Sequence, residues 1–363
     1  MIGILTFHHV YNYGALLQAY GLQTYIASLG YDVTILNVRP FHRSIRPRSR
    51  FSRVFDTVKD KVWPIESKKE AANSFDAFRN KWLQLSQPYD SLKKALRNET
   101  AIESLVVGSD QVWNPKYGKK ALDTYFLRDA PAEIRKIGYA ACAGSKTAPI
   151  AKLHRYKRFV EQFHAIGVRD EFTKEIIQSI TNLPVNMVVD PSLLIDWDFV
   201  SEHARPIQVP GEYIFYYGRT NAGERALEQL EKAYHLPVVS PGMEGDHNTD
   251  SKYESMESVG PLEWVNLLKN SSMVVTRSFH GLMFALKLNK PVIVAPANQI
   301  SLDRLEDACR RFEIKDCLLD IGSDGKDGPK KINRINFQKA RAIMDNELIK
   351  SRRYLDESLM KDE

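Results

Sequence analysis

Cysteine is scarce in this chain. There are three in 363 residues, Cys142, Cys309 and Cys317. That is too few and too scattered for a disulfide framework or a zinc site, and the expected state is three buried, reduced thiols. Long apolar runs are missing too, and nothing approaches the ~20 residues that cross a bilayer. No basic segment precedes the first apolar run, because Met1 leads straight into Ile2-Gly3-Ile4-Leu5-Thr6-Phe7, which reads as a core strand. A cytoplasmic protein is expected. Neither a GxGxxG fingerprint nor a glycine–lysine–threonine phosphate loop occurs, which argues against dinucleotide binding and Walker-type chemistry. There is no internal repeat and no low-complexity segment.

The apolar and charged fractions, 43% and 26%, are those of a soluble globular protein, and the length allows two domains, each with its own core. The net charge of +6 is uneven: Arg39, Arg43, Arg46, Arg48, Arg50 and Arg53 crowd one segment. Behind them Phe51, Val54, Phe55, Val58 and Val62 recur at helical spacing, with Arg53, Lys59 and Lys61 between them and Trp63 at the end. Residues 39–63 thus have the pattern of a basic amphipathic helix. It can lie on an anionic membrane surface or lay its apolar stripe on the core, and no nucleic-acid partner is expected.

Apolar runs alternate with helical patterns over the first half: strands at Ile2–Phe7, Val33–Val38, Ile102–Val107, Arg135–Cys142, His164–Val168 and Val185–Val189. Helices are expected at 14–29, at about 151–162 and at 171–180. The alternation implies right-handed crossovers and a parallel sheet. Arg205-Pro206 and Pro210-Gly211 punctuate a linker, and the pattern then restarts. The expected organisation is a Rossmann-like domain over 1–204 with a basic helical insertion at about 39–100, a second over 211–333, and a helix over 336–360. The fold class is α/β, two Rossmann-like domains facing across a cleft.

The most informative stretch is Met273-Val274-Val275-Thr276-Arg277-Ser278-Phe279-His280-Gly281-Leu282-Met283. An apolar strand stops at a cation, two hydroxyls and an imidazole, and a helix follows. Ligands of open α/β sheets bind at the carboxyl ends of strands, where helix N-termini aim N–H groups at anions. The first strand ends similarly, at Asn12-Tyr13-Gly14, where Asn12 can meet a ligand or cap the helix. Gly108-Ser109-Asp110-Gln111-Val112-Trp113 follows the third strand. Asp110 there can serve as a base, accept from sugar hydroxyls or cap a helix, and Trp113 can be a sugar platform or core. His8 and His9 point opposite ways on a strand and make a poor metal pair. Arg169 ends a further strand and suits bidentate recognition of carboxylate or phosphate, or a surface ion pair.

In order, NYGALLQAYGLQ, VVGSDQVWNP, VRDEFT, VVDPSLL and WVNLLKNSSMVVTRSFHGLMFAL closely resemble the polysaccharide pyruvyl transferase family, over residues 2 to about 315. The resemblance implies a fold similar to two-domain GT-B glycosyltransferases. It also implies transfer of the pyruvyl group of phosphoenolpyruvate onto two hydroxyls of a sugar, with release of phosphate and no cofactor or metal. The acceptor would be a sugar or lipid-linked glycan of a surface-polysaccharide precursor. By resemblance His280 is the motif histidine, a general acid or phosphate contact, and Asp110 the acid of the Gly-Ser-Asp turn. Arg169, Arg277, Ser278, Gly281, Asn12 and Gly14 are assigned to the donor, and Ser109, Gln111 and Trp113 to the acceptor. One position departs: members carry an arginine two residues before the histidine, and Ser278 stands there. Arg277 substitutes only if the strand has already broken into the turn. The rival readings are a GT-B-like glycosyltransferase using a nucleotide sugar, and a non-catalytic protein binding glycan phosphates.

Overall fold

In the computed structural model the described residues are 1–40, 65–144, 146, 149–242, 252–253, 255–256 and 258–360. From residue 41 to its end, the basic segment 39–63 lies outside them. Two parallel sheets carry the fold. The first has the order β2-β1-β3-β4-β5-β6, with β1 Ile2–Leu5, β2 Val33–Ile35, β3 Ser104–Val107, β4 Arg135–Ala141, β5 Ala165–Val168 and β6 Val185–Met187. The second has the order β11-β10-β7-β8-β9, with β7 Ile214–Tyr217, β8 Val238–Pro241, β9 Ser255–Met256, β10 Met273–Thr276 and β11 Val292–Val294. Every pairing is parallel, with Ile4 of β1 opposite both Ile35 and Val106, and Val275 of β10 opposite Tyr216 and Ile293. Burial on both faces explains why these strands are continuous apolar runs rather than alternating ones. β1, β3, β7 and β10 are buried at every position.

The expected strands are present: β3 and β5 end where expected, at Val107 and Val168, and the other four of the first sheet end one to three residues before their apolar runs do. The Lys/Arg-rich stretch expected as one helix near 151–162 is instead two 3₁₀ turns, Ile150–Lys152 and His154–Tyr156, and a single turn of α-helix, Lys157–Val160. The pattern did not signal the two-residue edge strand β9 or the helix Gly328–Arg334. Among the described residues no helix is long and apolar enough to cross a membrane. All three cysteines are buried free thiols, with Cys309 Sγ 3.5 Å from Cys317 Sγ.

The two halves share a core. Tyr13, at the start of the helix Tyr13–Ser28, stacks on Trp264 of the helix Pro261–Asn270 at 5.5 Å and donates to the Val259 carbonyl at 3.0 Å. The last helix, Phe337–Leu359, returns to the first sheet. Ser351 Oγ accepts from the Val189 N–H at 2.9 Å, and Tyr354 donates to the Gly138 carbonyl at 2.8 Å. These ties set the carboxyl ends of β1, β3, β5 and β6 against that of β10.

Candidate functional site

The site forms where several strand ends meet, and each end is shaped by a local choice. β10 stops at Thr276, whose Oγ1 donates to the Tyr217 carbonyl at 2.8 Å and accepts from the Ser278 N–H at 3.0 Å. Arg277 and Ser278 are therefore outside the strand's alternation, and both line the cleft. Ser278 is the N-cap of the helix Phe279–Lys287, its Oγ accepting from the Gly281 N–H at 3.3 Å. That helix presents His280. On the other side β3 runs into Gly108-Ser109-Asp110, with Asp110 at φ 71°, a left-handed conformation that aspartate tolerates better than most residues. Beside it β4 shifts register against β5 between Gly138 and Ala141, and Ala140 has φ 52°. Such irregularities re-aim side chains next to sites.

Asp190, which follows β6, is the hub. Its carboxylate is fully buried and accepts from Arg169 Nη1 at 2.9 Å, from Ser109 Oγ at 3.0 Å and from the Ser192 N–H at 3.0 Å. His280 Nε2 stands 3.6 Å from the same carboxylate oxygen as Arg169 and Ser109, an ion-pair neighbour beyond hydrogen-bond length. Burial alone would raise the Asp190 carboxyl. The charges of His280 and Arg169 and the Ser192 N–H outweigh burial and hold it well below the usual carboxylate range. Arg169 also reaches Asp110 at 3.5 Å, and its guanidinium lies 4.2 Å from the centre of the Phe279 ring. His280 packs so closely on the first helix that a Cβ on Gly14 would come within 2.1 Å of its Nδ1. One imidazole nitrogen thus faces a buried carboxylate of the first domain and the other faces the N-terminus of its first helix.

In front of this cluster is a cavity of about 330 Å³ lined by Asn12, Asp110, Gln111, Arg169, Arg277, Ser278, Phe279, His280, Arg304 and the start of the helix Gln299–Arg311. Seven of the sequence-assigned residues meet there: Asn12, Asp110, Gln111, Arg169, Arg277, Ser278 and His280. Asn12 both lines the cavity and caps its helix, accepting from the Ala15 N–H at 3.1 Å.

Four assignments require correction. Trp113 has no exposed surface. It stacks on Phe126 at 5.1 Å and donates to the Tyr125 carbonyl, so it is core and not a sugar platform. Ser109 is equally buried and its hydroxyl is committed to Asp190, not to an acceptor. Gly14 and Gly281 do not line the cavity. Gly14 makes room for the His280 ring, and a Cβ on Gly281 would lie 2.5 Å from Thr276 Oγ1. Two residues of the site had not been singled out. Asp190 was visible only as an acid at a strand end followed by proline. Arg304 sits within an ordinary amphipathic helix and gave no signal. Among the described residues no group of three or more histidine, cysteine or carboxylate side chains is placed to hold a metal.

Comparison with solved structures places the fold. UDP-GlcNAc 2-epimerase from Neisseria meningitidis, bound to UDP-GlcNAc, is 12% identical with a TM-score of 0.60, covering 99% of each chain. The Methanocaldococcus jannaschii UDP-GlcNAc 2-epimerase is 11% identical with a TM-score of 0.53, covering 95% of this chain and 99% of its own. The glycotransferase of kitacinnamycin is 12% identical with a TM-score of 0.50, over 99% of both chains. At such identities the likeness is one of architecture, the two facing α/β domains of GT-B enzymes. No match was found among curated protein sequences. The sequence profile of the polysaccharide pyruvyl transferases, however, matches residues 12–296, a span that carries every cavity residue from Asn12 to His280, and the chain belongs to that family of transferases.

Proposed function

We propose that this enzyme transfers the pyruvyl group of phosphoenolpyruvate to two hydroxyls of a sugar in a surface-polysaccharide precursor. The observation that carries the reading is His280 held between the buried Asp190 carboxylate and Gly14, at the wall of a cavity to which Arg169, Arg277 and Arg304 bring positive charge. Phosphoenolpyruvate carries a carboxylate and a phosphate and calls for cations and polar donors rather than an apolar pocket.

The chemistry needs a proton on the methylene carbon of the donor, giving an oxocarbenium-like centre at the adjacent carbon. One sugar hydroxyl adds there, the C–O bond to phosphate breaks, and the second hydroxyl closes the ketal. Of the two hydroxyl protons given up, one is balanced by the methyl group and the other leaves on phosphate. In this reading His280 moves the proton, with the Asp190 carboxylate 3.6 Å from its Nε2. Asp110, 15% exposed at the cavity wall, is assigned to accept from a sugar hydroxyl. We also propose that the segment 39–63 holds the enzyme at an anionic membrane bearing a lipid-linked acceptor.

The test is incubation with phosphoenolpyruvate and a panel of galactoside and mannosamine glycans, following phosphate release and the ketal mass shift. Turnover that disappears in His280→Ala, with folding intact, is the expected result. No turnover on any acceptor together with stabilisation by a nucleoside diphosphate would replace this reading with the glycosyltransferase one.

A further inference from the structure

Arg304 sits in the middle of the helix Gln299–Arg311, yet it behaves unlike its neighbours. Arg310 pairs with Asp307 at 2.5 Å and Arg311 with Glu347 at 2.6 Å. Arg304 pairs with no carboxylate among the described residues, and its Nε is buried without a hydrogen-bond partner. It lines the His280 cavity, and also a smaller groove carrying Asp170, Asp303 and Asp307. A guanidinium with carboxylates this close and none paired is a costly arrangement unless something else receives it.

Arg169, another cation of the cluster, is already engaged. Arg169 gives Nη1 to Asp190 at 2.9 Å, has Nη2 3.5 Å from Asp110, and has its face covered by Phe279. Its single charge is shared between two carboxylates, and it has little left for a ligand. Ser278 contributes no charge and spends its hydroxyl on the helix cap. Of the guanidiniums at the cavity, that of Arg304 meets no carboxylate among the described residues, while Arg169 lies between Asp110 and Asp190.

We infer that Arg304 is the cation that receives the phosphate group of the donor, taking the part of the arginine that Ser278 replaces two residues before His280. This rests on the pyruvyl-transfer reading for the identity of the donor, but not for the presence of a phosphate site. It also redistributes roles: Arg169 becomes a positioning residue that holds Asp190 and Asp110, and the anion-receiving charge comes from the second domain.

The experiment compares wild type with Arg304→Gln and Arg304→Lys, titrating inorganic phosphate and phosphoenolpyruvate by thermal shift and calorimetry and measuring kcat and KM separately. A charge-assisted hydrogen bond lost at the cavity wall predicts about a 10- to 100-fold weaker affinity for phosphate in Arg304→Gln, and a KM for phosphoenolpyruvate raised in proportion. Arg304→Lys should recover part of the affinity, since a point charge replaces a forked donor. Phosphate binding by Arg304→Gln at wild-type affinity overturns the inference, whether or not the pyruvyl reading stands. Phosphate binding that depends on Arg304, with no consumption of phosphoenolpyruvate, keeps the anion site and removes the pyruvyl reading. A wild-type protein indifferent to both ligands overturns both. Unfolding temperatures of the unliganded variants, expected to match wild type, separate loss of binding from loss of fold.

Discussion

Asp190 concentrates more of the site's energetics than any other side chain. Three donors converge on it and a histidine stands beside it, all out of water. Asp190→Asn leaves Arg169 with only the 3.5 Å partner Asp110. Breaking a buried pair from one side costs about 3–5 kcal/mol, and that is the expected destabilisation near neutral pH. Its pH dependence has a definite sign. The folded carboxyl is held below its unfolded value, so its contribution is complete above the ordinary carboxylate range and is lost as pH falls through the depressed folded value. The stability gap between wild type and Asp190→Asn should therefore be constant from about pH 6 to 8 and narrow below about pH 4. Denaturant melts at each pH measure it, and a gap that widens in acid would contradict the assignment. A second prediction concerns Gly14→Ala. The new methyl would lie 2.1 Å from His280 Nδ1, so the imidazole must shift. The variant should fold but lose on the order of 100-fold or more in kcat, as misplaced general acids do. These two residues show what the sequence reveals at this scale. Chemistry-bearing types at strand ends, His280, Asp110 and Arg169, could be picked out because a cation or an imidazole after an apolar run is unusual. Asp190 and Arg304 could not, because an aspartate before proline also reads as a turn, and an arginine within a helix also reads as solvated surface. What distinguishes them is the partner each has or lacks, and that is set by the fold.

At the scale of elements, the reading succeeded wherever one physical signal dominated. β1, β3, β7 and β10 are apolar runs bounded by turn chemistry, and the fold buries them on both faces. The helix Glu171–Ile180 was located to the residue because Asp170 caps it, accepting from the Thr173 N–H at 2.8 Å. The stretch 150–160 failed because its apolar residues, Leu153, Tyr156 and Val160, are met equally well by successive tight turns packed on the first domain's core. The last helix was predicted in place but not in purpose. It buries Met344, Leu348, Leu355 and Leu359, and Arg135 donates to the Ser358 carbonyl at 2.8 Å. Removing residues 337–363 would uncover that side of the first sheet. The truncated chain should be recovered insoluble or melt well below the full chain, and a soluble variant with unchanged unfolding temperature would show the helix to be an accessory. The basic segment carries a separate prediction. Deleting residues 41–63 should weaken binding to vesicles rich in anionic lipid while leaving turnover on a soluble acceptor unchanged, and equal vesicle binding by both proteins would reduce the segment to scaffold.

At the scale of the molecule, the cavity belongs to neither domain alone. Arg169, Asp110 and Asn12 come from the first, with Asp190 buried behind Arg169, and Arg277, His280 and Arg304 come from the second. The two are joined beside the cavity by Tyr13 stacked on Trp264. An anion bound among these groups bridges the domains, so its binding energy should appear in the unfolding of the whole chain rather than of one half. A ligand at 100 times its Kd adds about 2.7 kcal/mol to the stability of the state that binds it. With phosphoenolpyruvate at that level, calorimetry should show one transition displaced upward, not two transitions of which one moves. Because the cations face an open cleft, screening should also act on this step selectively. At 1 M salt the Debye length falls to about 3 Å, from about 8 Å at physiological strength, so KM for phosphoenolpyruvate should climb steeply with added chloride. The Arg169–Asp190 pair is sealed from solvent, and kcat should hold nearly constant over the same range. A kcat that fell in step with the rise in KM would mean that salt reaches the buried pair and that the two domains part under those conditions.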